Sequence, residues 1–195
     1  MSRQAHLQRA ADRDAQADAE RRLVDRLAAG EVEAAAELYD RYASLILGLA
    51  RRILRNQQDA EEALQDVFSQ VWRTAGRFEP ARGSLAAWLL VITRARAIDR
   101  LRTRQSRPDS ALYSDPALMA SAAAGPSDQL LSDEQAEQVR EALAALPEAQ
   151  RAALELAYYE GLTQSEIAER LSEPLGTIKT RIRTALLTLR ERLGA

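Results

Sequence analysis

At 195 residues and a formal net charge of −2, the chain has room for one large domain or two small ones and carries no global basic signature for nucleic acid. With no cysteine it excludes disulfides and Cys-based metal sites, and with the single histidine His6 it argues against a His-based metal centre or a catalytic triad. Aromatic residues make up only 5%, while Ala, Leu and Arg abound, a balance that favours helices over sheets.

The opening stretch MSRQAHLQRAADRDAQ is too charged for a secretory signal, and the longest apolar runs, such as LAAWLLVI at 85–92, are far too short to span a bilayer. A soluble, cytoplasmic protein is expected. Residues 1–19 show no apolar spacing and read as a disordered or weakly helical extension, with His6 in solvent. From about Glu20 a helical period sets in. Leu23, Leu27, Ala34, Ala35, Leu38, Tyr42, Leu45, Ile46, Leu49 and Ile53 recur at three- and four-residue steps, with a break at Gly30. A further helix is expected over 57–75, where Ala60, Leu64, Val67, Phe68 and Val71 share a face. Gly76 ends it, and FEPARGS at 78–84 reads as a loop. The next helix runs from Ser84 or Leu85 to about Arg104, with Ser84 as N-cap.

Residues 106–128 change texture. They hold three of the six prolines and five serines with no sustained period, and read as a flexible linker. Helical patterning resumes over 129–145 and 148–159, then in a closing pair. The fold class is therefore all-α: a helical domain at 20–105, the linker at 106–128 and a second helical domain at 129–195.

In the closing pair, Thr163 followed by Glu166 is a capping box, so a helix starts there and turns Ile167, Ala168 and Leu171 inward. Pro174 interrupts, and Gly176-Thr177 opens the second helix. Ile178, Ile182, Ala185, Leu189 and Leu193 form its apolar stripe. At about 100° per residue, Gly176, Thr177, Thr180, Arg183 and Thr184 fall opposite, flanked by Lys179 and Arg181. Two short helices, a tight turn and an outward Thr/Arg surface make a helix-turn-helix, whose hydroxyls and guanidinium forks suit base edges while the flanking cations suit phosphates. A solvated basic face is the competing explanation; the capping box, the turn proline and the preceding helix pair decide against it.

Two more surfaces stand out. DAEEALQDVFSQVW, 59–72, turns Asp59, Glu62 and Asp66 outward with no basic residue among them, and exposes Gln65 and Trp72 at its flank. TRARAIDRLRTRQSR, 93–107, has six arginines against one acid, a basic helix suited to phosphates. Acidic and basic surfaces on tethered domains suggest an adaptor between a protein machine and DNA.

These blocks resemble a known family. LYDRYASLILGLARRILRNQQDAEEALQDVFSQVWR, the loop RFEPARGS and AWLLVITRARAIDRLR resemble region two of the extracytoplasmic-function bacterial sigma factors. LPEAQRAALELAYYEGLTQSEIAERLSEPLGTIKTRIRTALLTLRERL resembles their region four. The resemblance implies a non-enzymatic subunit that binds core RNA polymerase and promoter DNA, with no cofactor, metal or small-molecule substrate. It implies polymerase contacts through Asp59, Glu62, Gln65, Asp66, Phe68 and Trp72. It assigns the minus-ten element to Arg82, Ser84, Arg94, Arg96, Asp99, Arg100 and Arg102, and the minus-thirty-five element to Thr177, Lys179, Thr180, Arg181, Arg183 and Thr184. It also implies control by an anti-sigma factor, often membrane-anchored. Two other classes compete: a stand-alone helix-turn-helix regulator, and a helical hydrolase with paired carboxylates, which lacks a Glu-x-x-His pattern.

Overall fold

The computed structural model describes residues 2–105 and 133–193, with side chains over 15–104 and 137–193. The expected linker lies outside the described residues.

The first helix, α1 (Ser2–Ala28), begins well before the apolar period does. Its last turns carry the apolar anchors Leu23, Val24 and Leu27, all buried. It stops at Gly30, whose φ of +83° is the left-handed conformation glycine adopts without cost. The Glu31 N–H then returns to the Arg26 carbonyl at 3.2 Å. In α2 (Val32–Leu54) the buried residues Ala34, Leu38, Tyr42, Leu45, Ile46, Ala50, Ile53 and Leu54 follow the three- and four-residue steps of one helix face.

Only Arg55 and Asn56 separate α2 from α3 (Gln57–Thr74). Arg55 takes the left-handed conformation, φ 52°, and returns its N–H to the Arg51 carbonyl at 2.9 Å. Asn56 then caps α3, its Oδ1 accepting the Asp59 N–H at 2.9 Å. Ala60, Ala63, Leu64, Val67 and Val71 face inward from α3. Two 3₁₀ turns, Ala75–Arg77 and Pro80–Arg82, lead into α4 (Leu85–Gln105). The helices α1 to α4 enclose one continuous core, with Leu85 and Leu89 of α4 fully buried in it. A smaller cluster of Ala50, Ile53, Leu54, Ala60, Ala63, Ala97 and Ile98 extends it along α2, α3 and α4.

Two oxygens hold the start of α4. Ser84 Oγ accepts the Ala87 N–H at 3.2 Å, as its N-cap position predicts. Glu20 of α1, only 6% exposed, accepts the Leu85 N–H at 2.8 Å, and the Gln16 side-chain amide donates to its other oxygen at 2.9 Å. Burial, reinforced by the Glu20 carboxylate, pushes the nearby Tyr42 hydroxyl pKa up, so the phenol keeps its proton. Replacing Glu20 by Ala leaves a helix N-terminal N–H without its acceptor, at a cost of about 1–3 kcal/mol. Both tryptophans lie in this half of the chain, so urea unfolding followed by tryptophan fluorescence should show the midpoint falling in Glu20→Ala and partly recovering in Glu20→Gln.

The second group of helices comprises α5 (Asp133–Ala144), α6 (Glu148–Tyr159), α7 (Gln164–Leu171) and α8 (Leu175–Leu193). Its core is small: Ala153, Ile167, Ala168, Ile178 and Ile182, with Leu156, Leu162 and Leu171 packed around them.

Candidate nucleic-acid interface

The α7–α8 pair is built as its sequence predicts. Thr163 Oγ1 accepts the Glu166 N–H at 3.3 Å, and a Glu166 carboxylate oxygen accepts the Thr163 N–H at 2.6 Å. That backbone hydrogen bond from Thr163 holds the Glu166 carboxyl below its ordinary pKa. Ser172 closes α7 in the left-handed conformation, φ 52°, and the Pro174 carbonyl accepts from Thr177 and Ile178 to begin α8. The helix itself starts at Leu175, before Gly176.

Ile178, Ile182 and Ala185 are buried, and Lys179, Thr180, Arg183 and Thr184 are exposed on the other side. Thr177 is half-buried. Two of the expected DNA-facing side chains have local ties. Thr180 donates its hydroxyl proton to the Gly176 carbonyl at 3.0 Å, leaving the oxygen as an acceptor. Arg181 is paired with Glu173 at 3.0 Å, which offsets the charge it would offer a phosphate. Leu186 and Leu187 are about half exposed just beyond this row, and Leu193, expected within the apolar stripe, is 40% exposed.

The acidic row of α3 differs from its expected form. Asp59, Glu62 and Asp66 do project outward, but they are not a bare carboxylate face. Arg100 of α4 hydrogen-bonds both Glu62 and Asp66, the latter at 3.0 Å, and Arg104 reaches Asp59 at 3.1 Å. The reason is packing: α4 lies against α3, so arginines one turn apart on one helix meet carboxylates one turn apart on the other. The Arg100 hydrogen bond, with its positive charge, lowers the Glu62 pKa. For Arg100 itself, burial works against the charge, yet the hydrogen bonds to Glu62 and Asp66 outweigh it and its pKa rises. What remains outward is a near-balanced strip of carboxylates and guanidinium groups.

Gln65 beside that row is exposed, and Trp72 is 38% exposed. Phe68 is half-buried, its ring 4.9 Å from that of Tyr39. A groove of about 310 Å³ opens here, lined by Val32 and Tyr39 of α2 together with Phe68 and Trp72. Val32 is 70% exposed. The helical period of α2 gave no hint of it, because both residues fall off the core-facing stripe.

The expected minus-ten residues are dispersed. In the loop, Arg82 pairs with Glu79 at 2.8 Å, and Ser84 is spent as the α4 cap. A hollow of about 260 Å³ follows, lined by Phe78, Arg82, Trp88 and Val91, with the two rings 5.6 Å apart. Trp88 and Val91 were missed, having been noted only within the apolar run LAAWLLVI at 85–92. Along α4, Arg96 donates to Gln70 of α3 at 2.6 Å and Arg100 holds the acidic row. Arg94 and Arg102 instead turn to the second group of helices, while Asp99 is exposed. Five arginines close in sequence, Arg94, Arg96, Arg100, Arg102 and Arg104, thus serve two different neighbours.

Comparison with known proteins bears on both halves. Sigma-70 region 2 matches residues 38–107 and Sigma-70, region 4 matches residues 142–191. The chain is 38% identical over 178 residues to the ECF RNA polymerase sigma factor SigK of Mycobacterium sp. (strain JLS), covering 88% of this chain and 89% of that one. It is 39% identical over 168 residues to SigK of Mycobacterium tuberculosis, covering 86% and 90%. Among solved structures, Rhodobacter sphaeroides SigE in complex with the anti-sigma ChrR is 35% identical, over 87% of this chain and 94% of that one, with a TM-score of 0.44. No helix among the described residues is long and apolar enough to cross a membrane. Regions 2 and 4 in that order, together with this identity over most of the length, set aside the stand-alone regulator and the hydrolase: the chain belongs to the extracytoplasmic-function family of RNA polymerase sigma factors, subunits that bind core polymerase and direct it to promoters.

Proposed function

We propose that residues 20–105 and 129–195 act as two promoter-binding domains joined by the 106–128 linker, with 1–19 as an extension. In this reading Asp59, Glu62, Gln65, Asp66, Phe68 and Trp72 meet core polymerase. Arg82, Ser84, Arg94, Arg96, Asp99, Arg100 and Arg102 serve the minus-ten element. Thr177, Lys179, Thr180, Arg181, Arg183 and Thr184 serve the minus-thirty-five element. The protein works in the cytoplasm as a non-catalytic subunit without cofactor or small-molecule substrate. Membership of this family carries the expectation of an anti-sigma factor that holds it inactive, commonly one anchored in the membrane.

The observation that carries the DNA reading is the face of α8. Lys179, Thr180, Arg183 and Thr184 are exposed opposite the buried Ile178, Ile182 and Ala185, on the second helix of a capped helix-turn-helix. Lys179 and Arg183 make no ion pair among the described residues, so their donors are available to a groove. Removing one good base contact costs about 1–3 kcal/mol and relaxes choice at that base pair, whereas removing a phosphate contact weakens all sequences alike and lowers the salt slope by about one unit. Arg183→Ala and Thr180→Ala should therefore change the preferred minus-thirty-five sequence. Lys179→Ala should lower transcription uniformly, and Arg181→Ala should do so less, given its pairing with Glu173. The test is run-off transcription by reconstituted holoenzyme over a randomised upstream element at two salt concentrations. An unaltered preference in both Arg183→Ala and Thr180→Ala would show that α8 does not read sequence.

A further inference from the structure

The loop between α3 and α4 has little of its own to hold it. Residues 81–84 are exposed, and the Arg82–Glu79 pair lies in solvent. Its internal hydrogen bonds each span a single turn, from the Arg82 N–H to the Glu79 carbonyl and from the Gly83 N–H to the Pro80 carbonyl. Gly83, at φ +146°, takes a conformation that glycine reaches freely, so the loop's exit has no stiffness of its own. Its shape is set from the two ends, and both ends rest on α1. At the entry, the turn Ala75–Arg77 packs on this helix, with Ala75 buried in the same cluster as Leu23, Val24 and Leu27. At the exit, the Leu85 N–H follows directly on the exposed residues, and Glu20 Oε2 accepts it at 2.8 Å.

A buried carboxylate is an exacting anchor. Glu20 makes no ion pair among the described residues, so its two hydrogen bonds, to Leu85 and to Gln16, carry the whole of its compensation for burial. A hydrogen bond fixes distance and direction, which an apolar contact does not. Gln16 holds the second oxygen, so the carboxylate cannot swing away from Leu85 without breaking that bond as well. Phe78 packs on Trp88 of α4, so a shift in the start of α4 also carries the loop's entry with it. We propose that Glu20 is a positioning residue for promoter recognition: by holding Leu85 it sets where Arg82 and the first turn of α4 stand against the minus-ten strand. The proposal rests on the minus-ten reading given above. Glu20, being buried, acts through the backbone and not by contact with DNA. A site that reads bases holds its groups to within about 0.5 Å, so loss of this anchor blunts minus-ten choice and leaves the minus-thirty-five reading by α8 untouched.

The test is transcription by reconstituted holoenzyme over two promoter libraries, one randomised in the minus-ten element and one in the minus-thirty-five element. Glu20→Ala should lower the preference for the best minus-ten sequence about tenfold, the worth of one well-placed base contact. Its minus-thirty-five preference should stay that of the parent chain. Glu20→Gln keeps an acceptor for the Leu85 N–H and should restore most of the minus-ten preference. A residue that served stability alone would scale all promoters together, because an unfolded fraction removes active protein without changing what the rest prefers. Gln16→Ala covers the case of a Glu20→Ala chain that does not fold: Gln16 is exposed, so its loss spares the core and should give a smaller change of the same kind. Uniform loss across both libraries overturns the proposal. So does an unchanged minus-ten preference in Glu20→Ala, or in Gln16→Ala should Glu20→Ala not fold. Arg82→Ala separates the two readings. If it leaves minus-ten-dependent transcription intact, the promoter reading of the loop fails; if it lowers that transcription while Glu20→Ala changes no preference, only the positioning role fails.

Discussion

Core polymerase should lose its hold on a chain carrying Glu62→Arg and Asp66→Arg. Like charges set against each other across an interface cost several kcal/mol, and about 3 kcal/mol is already a loss of roughly a hundredfold in affinity. The structure adds an internal consequence, because Arg100 bonds both carboxylates and would then face two new cations. These pairs are largely solvated, and exposed ion pairs contribute about 0–1 kcal/mol, so the helices should stay folded. Adding Arg100→Glu restores the internal pairing with reversed sign. That triple variant should regain any lost stability and still fail to bind core polymerase. Binding of the double variant at the parent affinity, measured by titration of labelled protein into core polymerase, would remove the acidic row from the interface.

Shortening the connection between the domains should be as damaging as reversing the charge. The 23 residues from 106 to 128 can reach roughly 80 Å at 3.3–3.6 Å per residue, while two turns of B-DNA span about 70 Å. Deleting about 15 of the residues in 109–127 leaves a reach of roughly 30 Å, too short for both domains to hold one promoter. Transcription should disappear, while scrambling the same residues should preserve it. Full activity of the deleted chain would mean that the two domains do not act across a single promoter.

Local pattern made part of this molecule legible. The α2 stripe through Leu38, Tyr42, Leu45, Ile46 and Ile53 is buried because the helical period leaves it no other place, and the Thr163–Glu166 box forms because both partners lie within one turn. The unread features depend on chain segments far apart. Glu20 caps a helix that starts 65 residues later, and Arg100 meets carboxylates 34 to 38 residues before it. A charge count along 59–72 cannot show that α4 will lie beside it. The carbonyls that hold Arg94 and Arg102 were still harder to see, since every residue has a carbonyl and only the end of a helix, as for Arg94, or a turn, as for Arg102, leaves it available. The first turns of α1 carried no apolar spacing, so nothing in the residue pattern marked where that helix begins.

The two-residue junction between α2 and α3 has a consequence for how this protein meets a partner. Arg55 and Asn56 are both committed, one to a left-handed turn and the other to a cap, and together they fix the angle at which α3 leaves α2. A partner docking on α3 therefore finds a finished shape and does not have to order one. Such preorganisation spares the conformational entropy that a flexible segment would lose on binding. Encounter is then governed by diffusion and orientation, and differences between tight and weak partners reside in how long each stays bound.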